Sequence, residues 1–252
     1  MFDLTGKRAL VTGGSAGIGL GMARGLARAG ADVALWGRSS GKLEAAASGL
    51  AEFGGRVVTR SVDVADEQAV VDATAATVEE LGGLDVVVVN AGISVPLAKF
   101  VESTTENYRK VMDTNLDGAY FTLRETTKYL VAQGVGGSVI VTSSLGAHEG
   151  AGRNQAYGAS KAGVLALANG CVVELARYGI RVNSVLPGWV ATDMTGPLVE
   201  SENFNSHVIS RVPLGRWATP EDFEGIAVYL ASDASGFQTG SSTLIDGGYS
   251  IF

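Results

Sequence analysis

The stretch Lys7-Arg-Ala-Leu-Val-Thr-Gly-Gly-Ser-Ala-Gly-Ile-Gly19 decides the fold. Its first six residues read as a short buried strand, its glycines as a tight corner, and the small-residue run on to about Gly30 as a helix. Strand, glycine turn and helix, in that order, are what a dinucleotide fingerprint requires. Glycines let the backbone approach a pyrophosphate, and the amino end of the helix supplies unpaired N–H groups and positive potential. The spacing is Gly-x-x-x-Gly-x-Gly, on Gly13, Gly17 and Gly19, and not the commoner Gly-x-Gly-x-x-Gly. Any tight strand-to-helix corner can hold such glycines, so the reading rests on what surrounds it.

Outward from this corner the alternation continues. Asp32 to Trp36 and Arg56 to Val62 read as strands, a helix runs from about Asp66 to Leu81, and Leu84 to Val89 is the most apolar strand. Four valines in a row there imply burial on both faces. A long helical pattern from about Thr104 to Gln133 precedes a strand at Ser138–Thr142 and a helix from about Gln155. Ile180–Leu186 is a sixth strand, Pro220 opens a last helix through Leu230, and Ser242–Ile245 closes the sheet. The pattern predicts an α/β chain: a Rossmann-type doubly wound parallel sheet of about seven strands with helices on both faces. With 252 residues and no polar linker, residues 1–252 read as a single domain. The 35 glycines against 5 prolines fit a sheet with many tight corners. Residues 193–211, weakly periodic and polar, read as a mobile lid over the substrate.

Composition excludes several classes. A net charge of −7 argues against binding nucleic acid or an anionic membrane surface through bulk electrostatics. The amino terminus lacks the basic lead and apolar core of a secretory signal, and no apolar run approaches a membrane span. A cytoplasmic, soluble chain is expected. Cys171 is the single cysteine, so neither an internal disulfide nor a thiolate zinc site is expected. His148 and His207, the two histidines, give little support to a metal site.

The chemistry concentrates between Ser143 and Lys161. With a helix from Gln155, Tyr157 and Lys161 stack one turn apart on one face. An ammonium beside a phenol favours the phenolate, so Lys161 is expected to lower the Tyr157 pKa and make it a usable acid or base. Ser144 can donate to a carbonyl oxygen on which charge builds. Arg38 ends the second strand where an adenosine ribose would lie. An acidic residue there would take the ribose hydroxyls, whereas an arginine pairs with a 2′-phosphate, so NADP(H) is preferred and NAD(H) remains possible. Asp63 and Val64 stand where the adenine edge would be, although aspartate is also an ordinary turn residue. Asn90, Ala91 and Gly92 end the fourth strand at the ligand edge, with Asn90 equally readable as a turn residue. Asn115, in mid-helix, either marks a kink that holds a water in a proton path or makes a plain interhelical hydrogen bond.

Taken together, Thr12-Gly13-x-x-x-Gly17-x-Gly19, Asp63-Val64, Asn90-Ala91-Gly92, Asn115, Ser144, Tyr157-x-x-x-Lys161 and Pro187-Gly188 with Thr192 resemble the short-chain dehydrogenase/reductases over essentially the whole chain. Val89 replaces the first asparagine of that family's usual Asn-Asn-Ala-Gly. The resemblance implies Asn115, Ser144, Tyr157 and Lys161 as the catalytic four, with Ser144 preferred to Ser143. It further implies cofactor contacts at Ser15, Ile18, Ser39, Val190 and Thr192, a tail after Asp246 that packs at a subunit interface, and a homotetramer or homodimer. The implied reaction is hydride transfer between NADP(H) and a small ketone or secondary alcohol, as in a carbonyl reductase or alcohol dehydrogenase. The alternatives are a 3-oxoacyl-ACP reductase, a sugar or polyol dehydrogenase, or a non-catalytic redox sensor or scaffold. Val135 and Tyr178 stand where an acyl-carrier enzyme would tend to place basic residues. Ile93, Ser94, Leu145, His148, Arg153, Asn154 and Trp189 are the expected substrate wall. Trp189 and Leu145 suit an apolar ketone, and His148, Arg153 and Asn154 suit a sugar.

Overall fold

The computed structural model describes residues 1–252. Its strands are β1 (Arg8–Thr12), β2 (Asp32–Gly37), β3 (Val57–Ser61), β4 (Val86–Val89), β5 (Gly137–Thr142), β6 (Ile180–Pro187) and β7 (Ser242–Ile245). All pair parallel in one seven-stranded sheet of order β3-β2-β1-β4-β5-β6-β7. The chain winds outward from β1 to β3, then returns to lay β4 on the other side of β1. This reversal leaves a crevice at the carboxyl ends of β1 and β4, which is where open α/β sheets bind ligands. The fold matches the expected Rossmann-type class.

Helices cover both faces. On one lie α1 (Gly17–Arg28), α2 (Ser40–Leu50) and α9 (Glu224–Ala231). On the other lie α3 (Glu67–Leu81), α4 (Thr105–Met112), α5 (Gly118–Gln133) and α6 (Gln155–Leu175). Alternate sheet residues feed two separate cores: Val11, Leu35 and Val88 pack on the first layer, and Leu10, Trp36 and Val87 on the second. β4 is shorter than its apolar run. Asp85, just ahead of it, still bonds both neighbouring strands through its backbone and uses its side chain to receive Arg8, with Oδ2 2.9 Å from the Arg8 amide and 2.7 Å from Nε. Two short helices, α7 (Gly196–Val199) and α8 (Glu202–Ile209), occupy the segment that reads as weakly periodic.

One expectation changes. The helix from Gln155 to Tyr178 is long and apolar enough, by length and composition alone, to cross a membrane, with mean hydropathy 1.3. Its alanines, valines and leucines raise the average, while glycines and polar residues interrupt any continuous run of large side chains. Ser160, Lys161, Val164, Ala168 and Leu175 form its buried stripe against the rest of the fold.

The small residues of α1 have a packing cause. A Cβ at Gly21 would lie 2.0 Å from the Pro220 carbonyl oxygen, and one at Gly25 2.7 Å from that of Glu224. Backbone therefore meets backbone, and Arg24 and Arg28 lock the contact through Glu221 and Glu224 at 2.9 and 2.7 Å. Helix propensity favours alanine over glycine by about 1 kcal/mol, but overpacking against fixed backbone costs about 1–3 kcal/mol. Gly21→Ala is thus expected to lower the urea midpoint, whereas Gly49→Ala in α2, with nothing within 4 Å of its added carbon, should raise it. Equal effects at the two sites would refute the close-approach account.

Candidate active site

At the crevice, the Thr12 hydroxyl accepts hydrogen bonds from the amides of Asn90 (2.9 Å) and Ala91 (3.1 Å) and is itself buried. The Asn90 side-chain amide returns the bond to the Thr12 carbonyl at 3.1 Å. Gly13 and Gly17 adopt left-handed backbone (φ +64° and +55°), which a side chain would strain. Gly19 lies behind them, where a Cβ would come within 2.3 Å of the Gly13 carbonyl oxygen. Ala16 precedes α1 and brings no capping side chain, so the amino end of the helix opens towards the crevice.

A cavity of about 580 Å³ runs from this corner. Gly13, Ser15, Gly17 and Ile18 line it, with Arg38 and Ser39 at one end and Asp63 and Val64 beside them. Asn90, Ala91 and Gly92 stand across from Pro187, Gly188, Val190 and Thr192, and Ser144, Tyr157 and Lys161 close the far end. Two expected site residues stand outside the lining: Gly19, and Asn115 behind Gly92. The Asp63 carboxylate also caps its own turn, accepting from the Ala65 amide at 3.1 Å.

Asn115 is 1% exposed and sits in a wide π turn, Asp113–Asp117, between α4 and α5. Both alternatives for it are present in part. The long helix is distorted there, and the side chain makes structural bonds: Oδ1 accepts from the Ile93 amide at 2.7 Å, while Nδ2 donates to the Ile93 carbonyl at 3.0 Å and to Ser160 Oγ at 3.1 Å. Ser160 Oγ in turn donates to the Tyr157 carbonyl at 2.8 Å. Asn115 therefore joins the loop after β4 to the tyrosine turn of α6.

The two serines separate. Both border the cavity, but Ser143 is buried and its hydroxyl is committed to the Lys161 carbonyl at 2.9 Å, whereas the Ser144 hydroxyl stands next to Tyr157. Ser144 Oγ accepts from the Gly146 amide at 3.1 Å, so its own proton is directed to another acceptor, the Tyr157 hydroxyl.

The electrostatics correct one expectation. Burial pushes the Tyr157 phenol up from its ordinary value, and the Ser144 hydroxyl pulls it part of the way back. Lys161 does not lower it. Its Nζ stands 5.8 Å from the centre of the Tyr157 ring and donates to the Thr142 carbonyl at 2.9 Å. Burial pushes the lysine itself down, to about 8. Burial thus shifts both groups towards their neutral forms, and for the lysine it outweighs the carbonyl and ring contacts, which by themselves favour the ammonium.

The expected substrate wall is only partly formed. Ile93 and Ser94 line the cavity. Leu145 and Trp189 instead join an aromatic cluster under α7 and α8, where Trp189 packs edge-on with Phe204, Trp217 and Tyr249 at centroid distances of 5.4, 5.6 and 6.3 Å. Apolar area drew them there, out of the cavity. His148 and Arg153 are exposed, and Asn154 Nδ2 donates to Ser94 Oγ at 3.1 Å. Three parts of the site escaped the sequence reading. These are the Thr12 and Ser160 hydroxyls, an ion pair between Lys42 and Asp193 across the cavity, and Thr142. Thr142 borders the cavity, is 5% exposed, and its Oγ1 is buried without a hydrogen-bond partner. A hydroxyl of that kind, an uncapped helix end and glycines that admit close backbone approach together fit a dinucleotide.

A family model described as enoyl-(acyl carrier protein) reductase, of the short-chain alcohol dehydrogenase type, matches residues 13–250. The chain belongs to the short-chain dehydrogenase/reductase family. It is 42% identical to an L-rhamnose 1-dehydrogenase (NAD(P)+) of Azotobacter vinelandii, over 97% of each chain. It is 40% identical to a sorbose reductase of Schizosaccharomyces pombe, over 99% of this chain and 98% of that one. A solved structure described as a putative 2-deoxy-D-gluconate 3-dehydrogenase from Agrobacterium tumefaciens with bound NADP superposes with a TM-score of 0.92. It is 36% identical and covers 100% of this chain and 99% of its own.

In this short-chain dehydrogenase/reductase, the Lys161 pKa falls from 10.5 to about 8 on folding. The unfolded chain therefore binds more protons between these values, so the stability this group contributes rises with pH across that window and is lost as pH falls through 8. Lys161→Met removes the titration. The wild type should gain stability relative to this variant, read as the difference in urea midpoint, between about pH 7 and about pH 10. A difference that stays constant with pH would mean that the ammonium is well solvated.

Proposed function

We propose that this short-chain dehydrogenase/reductase interconverts a ketone and a secondary alcohol on a sugar, sugar acid or polyol, using NADP(H) in preference to NAD(H). The observation that carries the proposal is the convergence of Ser144, Tyr157 and Lys161 at the end of a cavity whose other end carries Arg38. When bound, the nicotinamide supplies or accepts the hydride. Tyr157, held neutral by burial, gives its proton to the substrate oxygen in reduction and receives it back in oxidation. The Ser144 hydroxyl, turned from Tyr157 to the substrate, steadies that oxygen by donating its proton in a hydrogen bond. Lys161 orients the cofactor ribose and places positive charge near the ring, and Asn115 holds the loop and helix that carry the pair and supports a water path for the returning proton. Arg38, at the end of β2 where no carboxylate awaits a ribose diol, supports the phosphorylated nucleotide.

The carbonyl reductase of simple ketones gives way here to the sugar reading. Trp189 and Leu145, which favoured an apolar substrate, are spent in the aromatic cluster, and what Ser94 meets is polar, the Asn154 side-chain amide. The two relatives above act, by their names, on sugars. An acyl-carrier partner finds Val135 and Tyr178 exposed where basic groups would serve it. Exposed apolar side chains on α4 to α6, among them Tyr108, Tyr120 and Val173, support a homotetrameric assembly.

The test follows nicotinamide absorbance with NADPH and with NADH against a panel of sugars, sugar acids, polyols and simple ketones. Turnover should be fastest on a polyhydroxy substrate and with NADPH. Tyr157→Phe should lower it by about a thousandfold while nucleotide binding persists. Activity retained in that variant excludes the mechanism, and activity confined to simple ketones excludes the substrate class.

A further inference from the structure

The adenosine end of the cavity is walled by Ser15, Arg38, Ser39 and Lys42 on one side and by Asp193 on the other. Lys42 stands in the first turn of α2, after the Ser39 cap, and Asp193 directly follows Thr192. Their charges meet across the opening at 2.6 Å. Both side chains are largely exposed, 58% for Lys42 and 76% for Asp193, so the bond is solvent-screened and easily exchanged. The backbone on either side of Asp193 is tied by its own loop, since the Thr195 hydroxyl accepts from the Thr192 amide at 3.0 Å and donates to the Val190 carbonyl. The lysine has no such anchor: four rotatable methylenes carry its charge. Arg38 and Lys42 face one volume, and Lys42 alone of the two is already paired.

A phosphate monoester carries about −1.5 to −2 at neutral pH, against −1 for a carboxylate, and offers three acceptor oxygens. Between Arg38 and the Ser39 hydroxyl, such a group outcompetes Asp193 for the ammonium. We propose that Lys42 changes partner from Asp193 to the 2′-phosphate of the bound nucleotide. Lys42 is then the second cation for that phosphate, and Asp193 is a positioning residue that occupies it when the phosphate is absent. Discrimination between the two nucleotides is shared: Arg38 supplies a standing charge and Lys42 a conditional one. This rests on the NADP(H) reading above.

The experiment is fluorescence titration of the full chain with NADPH and with NADH, using Lys42→Ala, Asp193→Asn and Arg38→Ala. Lys42→Ala should weaken NADPH binding by about fivefold and NADH binding by less than about twofold, an effect that fades as salt is raised. Lys42→Arg should restore most of the loss. Asp193→Asn should act in the opposite sense, tightening NADPH by about twofold to threefold because the lysine no longer has to be withdrawn. Equal weakening of both nucleotides by Lys42→Ala would show a clasp over any dinucleotide and overturn the exchange, as would weaker NADPH binding in Asp193→Asn. If Arg38→Ala lowers the NADPH preference and Lys42→Ala does not, only the exchange falls. If neither moves the preference, the NADP(H) reading falls with it.

Discussion

The site depends on one buried hydroxyl. Thr12 ends β1 at the place where the strand order reverses, and its oxygen accepts the two backbone amides that begin the loop after β4. A buried amide left without an acceptor costs about 1–3 kcal/mol, so this threonine compels the two loops to leave the sheet together. Everything else in the crevice is placed relative to that junction. The Asn90 side chain returns to the glycine corner, the corner sets where α1 begins, and the same loop runs on to Ile93, where Asn115 grips it. A sheet whose neighbouring strands separate at a fixed point thus becomes a slot of fixed width.

Inside the slot, desolvation outweighs pairwise charge. A phenol and an ammonium one helical turn apart read from the sequence as a pair that sharpens the acid. In the folded chain burial presses both towards neutrality, against the charge-favouring contacts of the ammonium with the Thr142 carbonyl and the ring face of the tyrosine. A neutral phenol suits proton donation, and the neutral state of the lysine is within reach near pH 8. Below pH 8 the lysine still carries its charge, so the slot presents a neutral phenol beside an ammonium.

The parts of this architecture legible in the sequence were those governed by period and punctuation. Four consecutive valines could only be a doubly buried strand, and the glycine corner, the Tyr157 spacing and the order of strands and helices placed the slot. What escaped were properties of three-dimensional company. Nothing local distinguishes Thr12 or Ser160 from any other hydroxyl, since their partners lie 78 and 45 residues away. Trp189 and Leu145 read as substrate wall because their place in the chain is right; only the presence of Phe204, Trp217 and Tyr249 shows that they have other neighbours. The two short helices after Asp193 were hidden by polar residues on their outer faces.

The wide turn at Asp113–Asp117 has a consequence for how this gene can vary. A turn with i→i+5 bonds contains one residue more than an α-helical one and so offsets all that follows by about 100° around the axis. In the protein that offset brings Gly118 against Val64, where a Cβ would come within 2.7 Å of the valine side chain, and directs Leu123, Thr126 and Leu130 inward. α4 and α5 are two sections of one shaft, keyed at different angles. Amino-acid exchange along the outer side of this shaft is cheap, but gaining or losing a single codon between its ends would turn one section out of mesh, so length here is guarded more strictly than composition.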